Sequence, residues 1–251
     1  MNNRSFLITG AGSGFGRATA LKLAAAGARL TLGDLNLATA TETAGLARKA
    51  GGEALALALD VAEETSVSAF TERALQAYGR IDGAFNSAGV LGPVGSMAEV
   101  SIADFERVMA VNVRGVWLCM QAQLRAMLKS SAPDGGYSIV NAASIAGLMG
   151  SPLLPAYSAS KHAVVGMTRA SARFYGKNRI RVNCVCPGPV DTPLAGPLFG
   201  SEQIREMMMA RQALPEFGKA EDVASLVVWL LSPAAAMVTG TPVRVDAGAL
   251  A

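Results

Sequence analysis

Tyr157 and Lys161 stand four residues apart in the stretch YSASK. On a helix that spacing puts a phenol and an ammonium on one face. A cation there lowers the pKa of the phenol from its usual value of about 10, which makes the two an acid–base pair. Taken alone, the spacing is equally that of an ordinary solvated helix face. A second stretch that can do chemistry is TGAGSGFG, Thr9 to Gly16. It follows a strand-like run and opens a helix, where a dinucleotide pyrophosphate meets backbone N–H groups and the positive helix end. Its glycines miss G-x-G-x-x-G in every register, because the last one falls on Phe15 or Arg17, and no G-K-[ST] follows. They fit T-G-x-x-x-G-x-G through Gly10, Gly14 and Gly16, with Ser13 before Gly14. Such a turn also serves simply to close a tight strand-to-helix connection. Asp34 ends the next strand-like run, RLTLGD, about 20 residues on, where a carboxylate accepts hydrogen bonds from an adenosine ribose and repels a 2′-phosphate. The plainer alternative is an Asp capping the following helix. Asp60 ends LALDV and approaches an adenine in the same way, and Asn86 to Gly89, NSAG, ends a fourth run with residues small enough to admit a flat ring or a ribose.

These residues need elements to hold them. Strand-like runs SFLIT, RLTLGD, EALALALD, IDGAFN, YSIVNAAS, IRVNCVC and TPVRVD alternate with helical stretches at 16–26, 37–50, 64–78, 104–129, 156–175 and 220–231. Apolar strands separated by helices predict an α/β fold: a doubly wound parallel sheet, the Rossmann fold, in three layers α/β/α. No linker or repeat interrupts the alternation, so residues 1–251 are expected to form one domain. Hydrophobic residues make up 51% and charged ones 16% of the 251, which excludes a disordered chain. The net charge of +3 is scattered and offers no footprint for nucleic acid, and no apolar run is long enough to cross a bilayer. The first strand follows the N-terminus too closely for a signal peptide, and three cysteines in no framework spacing fit a reducing compartment, so a cytoplasmic protein is expected. Cys184 and Cys186 alternate as buried strand residues do. His162 is the only histidine. That leaves no ligand set for zinc, and its place after Lys161 turns it away from the Tyr157–Lys161 face, a structural position.

Over its whole length the sequence resembles the single-domain short-chain dehydrogenases/reductases. TGAGSGFG matches the family's glycine turn, and NSAG matches its N-N-A-G element with Ser87 in place of the second Asn. Asn112 in VNVRG, Ser144 in NAASIAG, Tyr157 to Lys161, and Pro187 to Pro193 in PGPVDTP match the remaining motifs in order. The resemblance implies a catalytic tetrad. Ser144 would bind the substrate oxygen, Tyr157 would exchange its proton, and Lys161 would keep the phenol acidic and bind the nicotinamide ribose. Asn112 would hold a water that links Lys161 to solvent. The implied cofactor set is Gly10, Ser13, Gly14, Phe15, Gly16, Asp34, Leu35, Asp60, Val61, Asn86, Ala88, Gly89, Tyr157, Lys161, Pro187, Gly188, Val190 and Thr192. The chemistry of the residues agrees. Ser144 ends a strand on the side of the sheet where open α/β folds bind ligands. Asn112 interrupts the apolar run VMAVNVRGVWLCM, where its amide needs a partner.

The expected function is NAD-dependent interconversion of a secondary alcohol and its ketone. Two alternatives carry the same fold: an NADPH-dependent 3-oxoacyl-thioester (acyl carrier protein) reductase, and a non-catalytic dinucleotide-binding scaffold. Asp34 speaks against the first and the complete tetrad against the second. Arg169 and Arg173, one turn apart, suit either an acidic carrier protein or a solvated face. The resemblance further implies a lid at 192–218 and a homotetramer packed through helices 104–129 and 156–175, whose Val116, Leu124, Val164 and Met167 look too many for one buried face. Leu194, Leu198, Phe199 and Met207 to Met209 make the lid apolar. So are the walls, Val90 to Gly95, Ile145 to Gly150 and Pro152 to Tyr157, with Arg205 and Arg211 expected to face solvent. A neutral, bulky alicyclic or aryl substrate follows, and no metal is called for.

Overall fold

The computed structural model describes residues 1–198 and 200–251. Phe199, expected in the lid, lies outside the described residues. The first half of the chain alternates strand and helix: β1 (Ser5–Thr9), α1 (Gly14–Ala25), β2 (Arg29–Asp34), α2 (Leu37–Lys49), β3 (Glu53–Ala58), α3 (Glu64–Tyr78) and β4 (Gly83–Asn86). Then come α4 (Ile102–Met109), a π-helical turn (Ala110–Gly115), α5 (Val116–Leu128), β5 (Tyr137–Ala142), α6 (Pro155–Tyr175) and β6 (Ile180–Pro187). The chain closes with α7 (Glu202–Met209), α8 (Ala220–Leu231) and β7 (Pro242–Val245).

All strand pairs are parallel, in the order β3-β2-β1-β4-β5-β6-β7. A sheet covered on both faces must be apolar on both, and β1, β5 and β6 are buried at every position. Alternation along β1 divides the core in two: Leu7 joins Val67, Leu118, Ile139 and Val164 on one face, while Phe6 and Ile8 join Leu23, Leu32, Val227 and Leu230 on the other. The architecture is therefore the three-layer Rossmann fold. Its first half winds outward from β1 to β3, and the chain then crosses to β4 on the other side of β1. The carboxyl ends of β1 and β4 flank this reversal, where open α/β sheets bind ligands. No described helix is long and apolar enough to cross a membrane.

Two elements depart from the reading of the sequence. The single helix expected at 104–129 is two helices joined by the π turn, and the segment expected as a lid contains α7, which its mixed composition hides. The surplus of apolar residues also lies elsewhere than expected. Val116, Leu124 and Val164 are absorbed by the chain's own core, because α5 and α6 lie against the sheet over a wide arc, and only Met167 is half-buried. The large apolar side chains left exposed on these helices are Trp117, Leu128 and Phe174.

Candidate active site

The glycine turn is built by close approach. Gly10 has φ +63°, and a Cβ there would stand 2.8 Å from the backbone of Ala88. A Cβ on Gly16 would stand 2.1 Å from the carbonyl oxygen of Gly10, so both positions require glycine. Thr9 Oγ1 accepts the N–H groups of Ser87 (3.1 Å) and Ala88 (3.2 Å), tying the end of β1 to the end of β4. Between them opens a cleft of about 440 Å³. Of the positions read from the sequence, Gly10, Ser13, Gly14, Phe15, Asp34, Leu35, Asp60, Val61, Ala88, Gly89 and Thr192 line it. Leu59, Ser87, Val90, Val111, Pro193 and Leu194 line it as well. Sequence reasoning places Val90 and Leu194 around the substrate and misses the others in the cleft, although Ser87 and Pro193 lie inside the quoted motifs.

Asp34 is held in place: Oδ2 accepts the N–H of Gly12 at 2.8 Å and Oδ1 that of Asn36 at 3.0 Å. It does not cap α2, a task done by Asn36, whose side chain accepts from Ala38. Asp60 Oδ1 accepts from Ala62 at 2.9 Å. These two carboxylates are the only charged groups in the cleft lining among the described residues.

Other expected cofactor positions support the cleft from outside. Asn86 turns its buried amide away, donating to Gln123 Oε1 (3.1 Å) and Asn141 Oδ1 (2.9 Å) and accepting from Gln123 Nε2 (2.7 Å). Pro187 ends β6, Gly188 packs on the backbone of Asp246, and buried Val190 bridges to Gly218. The segment 192–218, expected as a lid, hangs from this bridge, and its return limb is held where the N–H groups of Ala213 and Leu214 both reach the carbonyl of Ala247. Arg205 does not simply face solvent as expected. It pairs with Asp191 at 3.5 Å and stacks on the Phe217 ring at 4.2 Å, whereas Arg211 is exposed.

The structure brings the four tetrad residues together from three places. Ser144 follows β5, Asn112 sits in the π turn, and Tyr157 and Lys161 share one face of α6. The Ser144 hydroxyl is near enough to the Tyr157 phenol to favour its ionised form. Lys161 Nζ lies 5.4 Å from the Tyr157 ring centre and donates to the carbonyl of Ala142 at 2.7 Å. Asn112 finds the partners its burial demands: Oδ1 accepts from Val90 N, and Nδ2 donates to Val90 O, both at 2.8 Å, and to Ser160 Oγ at 3.1 Å. Gly89 joins this group to the cleft, since a Cβ there would stand 3.2 Å from Asn112 Oδ1 and 3.6 Å from Lys161 Nζ. His162 is exposed, one ring nitrogen against the carbonyl of Ser158.

In the protein alone, burial governs both titrating groups. It pushes the Tyr157 phenol up to about 12, with the Ser144 hydroxyl pulling the other way. It pulls the Lys161 ammonium down to about 8, against the nearby Cys186 and Cys184. The expected acidic phenol is therefore not a property of the Tyr–Lys spacing, because desolvation exceeds the opposing pull of Ser144.

A family model described as Enoyl-(Acyl carrier protein) reductase matches residues 10–249. The 2,5-dichloro-2,5-cyclohexadiene-1,4-diol dehydrogenase of Sphingobium indicum is 39% identical over 251 residues, covering 99% of this chain and 97% of that protein. The cyclohexanol dehydrogenase of an Acinetobacter species is 40% identical over 245 residues, covering 98% and 94%. The solved structure of a levodione reductase superposes with a TM-score of 0.93 at 35% identity, covering 98% of this chain and 97% of that one. With these relatives spanning nearly the full length of both partners, the chain belongs to the short-chain dehydrogenase/reductase family, whose members are oxidoreductases that bind a nicotinamide dinucleotide.

Proposed function

We propose that this protein is an NAD-dependent dehydrogenase that interconverts a neutral alicyclic or aryl-substituted secondary alcohol and its ketone, with Asn112, Ser144, Tyr157 and Lys161 as its catalytic residues. The observation that carries this reading is the grouping of Ser144, Tyr157 and Lys161, joined through Gly89 to a glycine-walled cleft on the sheet's reversal. The cleft fits a dinucleotide. Its loops approach so closely that side chains are excluded at Gly10 and Gly16, and the N-terminus of α1 faces it without an acidic residue in the first turn. Gly10, Ser13, Gly14 and Phe15 would hold the pyrophosphate, Asp34 the adenosine ribose, and Lys161 the nicotinamide ribose. When bound, the nicotinamide supplies or takes up the hydride. Ser144 holds the substrate oxygen by a hydrogen bond that strengthens as charge develops on it. Tyr157 gives that oxygen a proton in reduction and removes it in oxidation. Lys161 stabilises the phenolate that oxidation requires.

The choice of NAD rests on charge. A 2′-phosphate would enter a cleft whose only charged lining groups among the described residues are carboxylates, and Asp34 stands at the ribose position. The same feature disfavours the NADPH-dependent acyl-thioester reductase. For the substrate, the relatives named for cyclohexanol and for a cyclohexadienediol support a six-membered ring. Arg205 is already engaged by Asp191 and Phe217, which leaves no clamp there for an anionic substrate. The reading extends to one catalytic domain with its lid at 192–218, to a cytoplasmic location, consistent with three free and buried cysteines, and to a homotetramer.

The test is a steady-state comparison of cyclohexanol, aryl alcohols, polyols and hydroxy acids with NAD and with NADP, followed at the nicotinamide absorbance. NAD should be preferred at least about tenfold, equivalent to roughly 1.4 kcal/mol, and Asp34→Ala should shrink that ratio. Equal use of both cofactors, or a higher kcat/KM for a polyol or a charged acid, contradicts this reading.

A further inference from the structure

The two serines between Tyr157 and Lys161 take no part in the tetrad, yet both are buried, at 7% exposure for Ser158 and 0% for Ser160. At about 100° per residue they flank the Tyr–Lys face on opposite sides. Each makes a separate connection. Ser158 Oγ donates to the carbonyl of Ala146 at 2.7 Å, with a longer reach of 3.2 Å to that of Met149. The N–H of the same Ala146 residue donates to Ser144 Oγ at 3.1 Å. The short 3-10 turn after Ser144 is thus fixed to α6 through Ala146, and Ser144 Oγ is fixed to that turn. The turn sits hard against the helix, since a Cβ on Gly147 would stand 2.7 Å from the carbonyl oxygen of Lys161.

On the other side, Ser160 Oγ donates to the carbonyl of Tyr157 at 2.7 Å. This commits its hydrogen to its own helix and leaves a lone pair for the Asn112 amide, which donates to it at 3.1 Å. The remaining bonds of Asn112 go to Val90, beside the cleft. Ser160 therefore docks the π turn and the Val90 loop onto the catalytic helix.

We infer that Ser158 and Ser160 are positioning residues that hold the tetrad in register on α6, Ser158 acting through Ser144 and Ser160 through Asn112. The inference rests on the proposed roles of Ser144, Tyr157 and Lys161. Its physical basis is that a displacement of about 1 Å in a catalytic group costs up to about a hundredfold in rate, while truncating either serine removes only the two hydrogen bonds of its hydroxyl.

The experiment measures kcat, dinucleotide Kd by fluorescence and Tm for Ser158→Ala, Ser160→Ala, Ser158→Thr and Ser160→Thr. Both alanine variants should lose about five- to tenfold in kcat at a temperature where circular dichroism shows them folded, with Kd changed less than about twofold. The threonine variants, which keep the hydroxyl, should recover most of kcat. In the Ser144→Ala background Ser158→Ala should cost nothing further, and in the Asn112→Ala background the same should hold for Ser160→Ala. Should an alanine variant fail to fold, Ser→Cys at the same position keeps the volume with a weak donor and should show the kcat loss. Wild-type kcat with a lowered Tm, or losses that simply add in the double variants, overturns the inference. Tyr157→Phe run alongside separates the two levels: full activity there removes the tetrad reading itself, whereas lost activity there with unaffected serine variants removes only the positioning role.

Discussion

Lys161 is buried and Tyr157 half-buried, so the charged form of each loses solvation. The folded protein holds Lys161 at about 8, below its ordinary 10.5, and so binds fewer protons than the unfolded chain between those values. Fewer protons on the native state means that this group adds stability as pH rises. The penalty of burying the ammonium is complete below about pH 8 and is relieved towards 10.5. The thiols of Cys119, pushed up by burial, and of Cys186, pushed up by Cys184 and then by burial, act in the opposite sense above about pH 9. The quantity to measure is therefore a difference. The stability of Lys161→Met relative to wild type, from denaturant midpoints of the cofactor-free proteins, should fall by on the order of 3 kcal/mol between pH 7 and 10.5. A flat difference would mean that Lys161 is hydrated. Removing the proton itself is a separate test. Tyr157→Phe should keep the fold and dinucleotide binding and retain less than about a tenth of kcat in steady-state assays.

At the scale of elements, the cleft depends on two loops meeting with no side chain between them. Gly10 is the contact point, with φ +63° and Ala88 backbone in the place of its missing Cβ. Gly10→Ala should raise the dinucleotide Kd more than about tenfold and lower Tm, because both the turn conformation and the β1–β4 approach are lost. Gly45 is the matching control. It lies inside α2, and a Cβ there would meet nothing within 4 Å, so Gly45→Ala should leave Kd unchanged and add roughly 0.5–1 kcal/mol of stability in the same melts. The π turn at 110–115 is the other special element. It lets Asn112 point across to Val90 and Ser160 from within a helical run, where a regular helix through 104–129 would continue unbroken.

For the whole molecule, the face of α5 and α6 turned away from the sheet carries a groove of about 340 Å³ lined by Trp117, Met120, Leu124, Met167, Phe174 and Tyr175. Trp117 is 58% and Phe174 64% exposed. An apolar face of this kind suits association, and we propose it as the contact of the homotetramer; it lies on the two helices of the sequence reading and keeps Leu124 and Met167 of the four residues named there, while Val116 and Val164 are taken up by the chain's own core. Light scattering at micromolar concentration should give a multiple of the 25.7 kDa chain, and Trp117→Glu combined with Phe174→Glu should reduce it to smaller species. A monomeric mass for the unmodified protein removes the proposal.

The alternation of strands and helices, the glycine turn, Asp34 and the Tyr–Lys face were legible in the sequence because each rests on local periodicity or spacing. What a side chain faces across the fold is not a local property. Asn86 sits in a cofactor-like motif yet turns into a buried network with Gln123 and Asn141 from other elements. Arg205 is engaged by residues 14 and 12 positions away along the chain. The π turn arises where Asn112 meets Val90 and Ser160, and the two serines of YSASK gain their partners in other elements only when the turn after β5 and the π turn pack beside α6. The sequence by itself determined the fold class and the chemical types at the site. The tertiary structure decided their orientation, their hydration and hence their protonation, because desolvation and directed hydrogen bonds depend on what the packing places opposite each group.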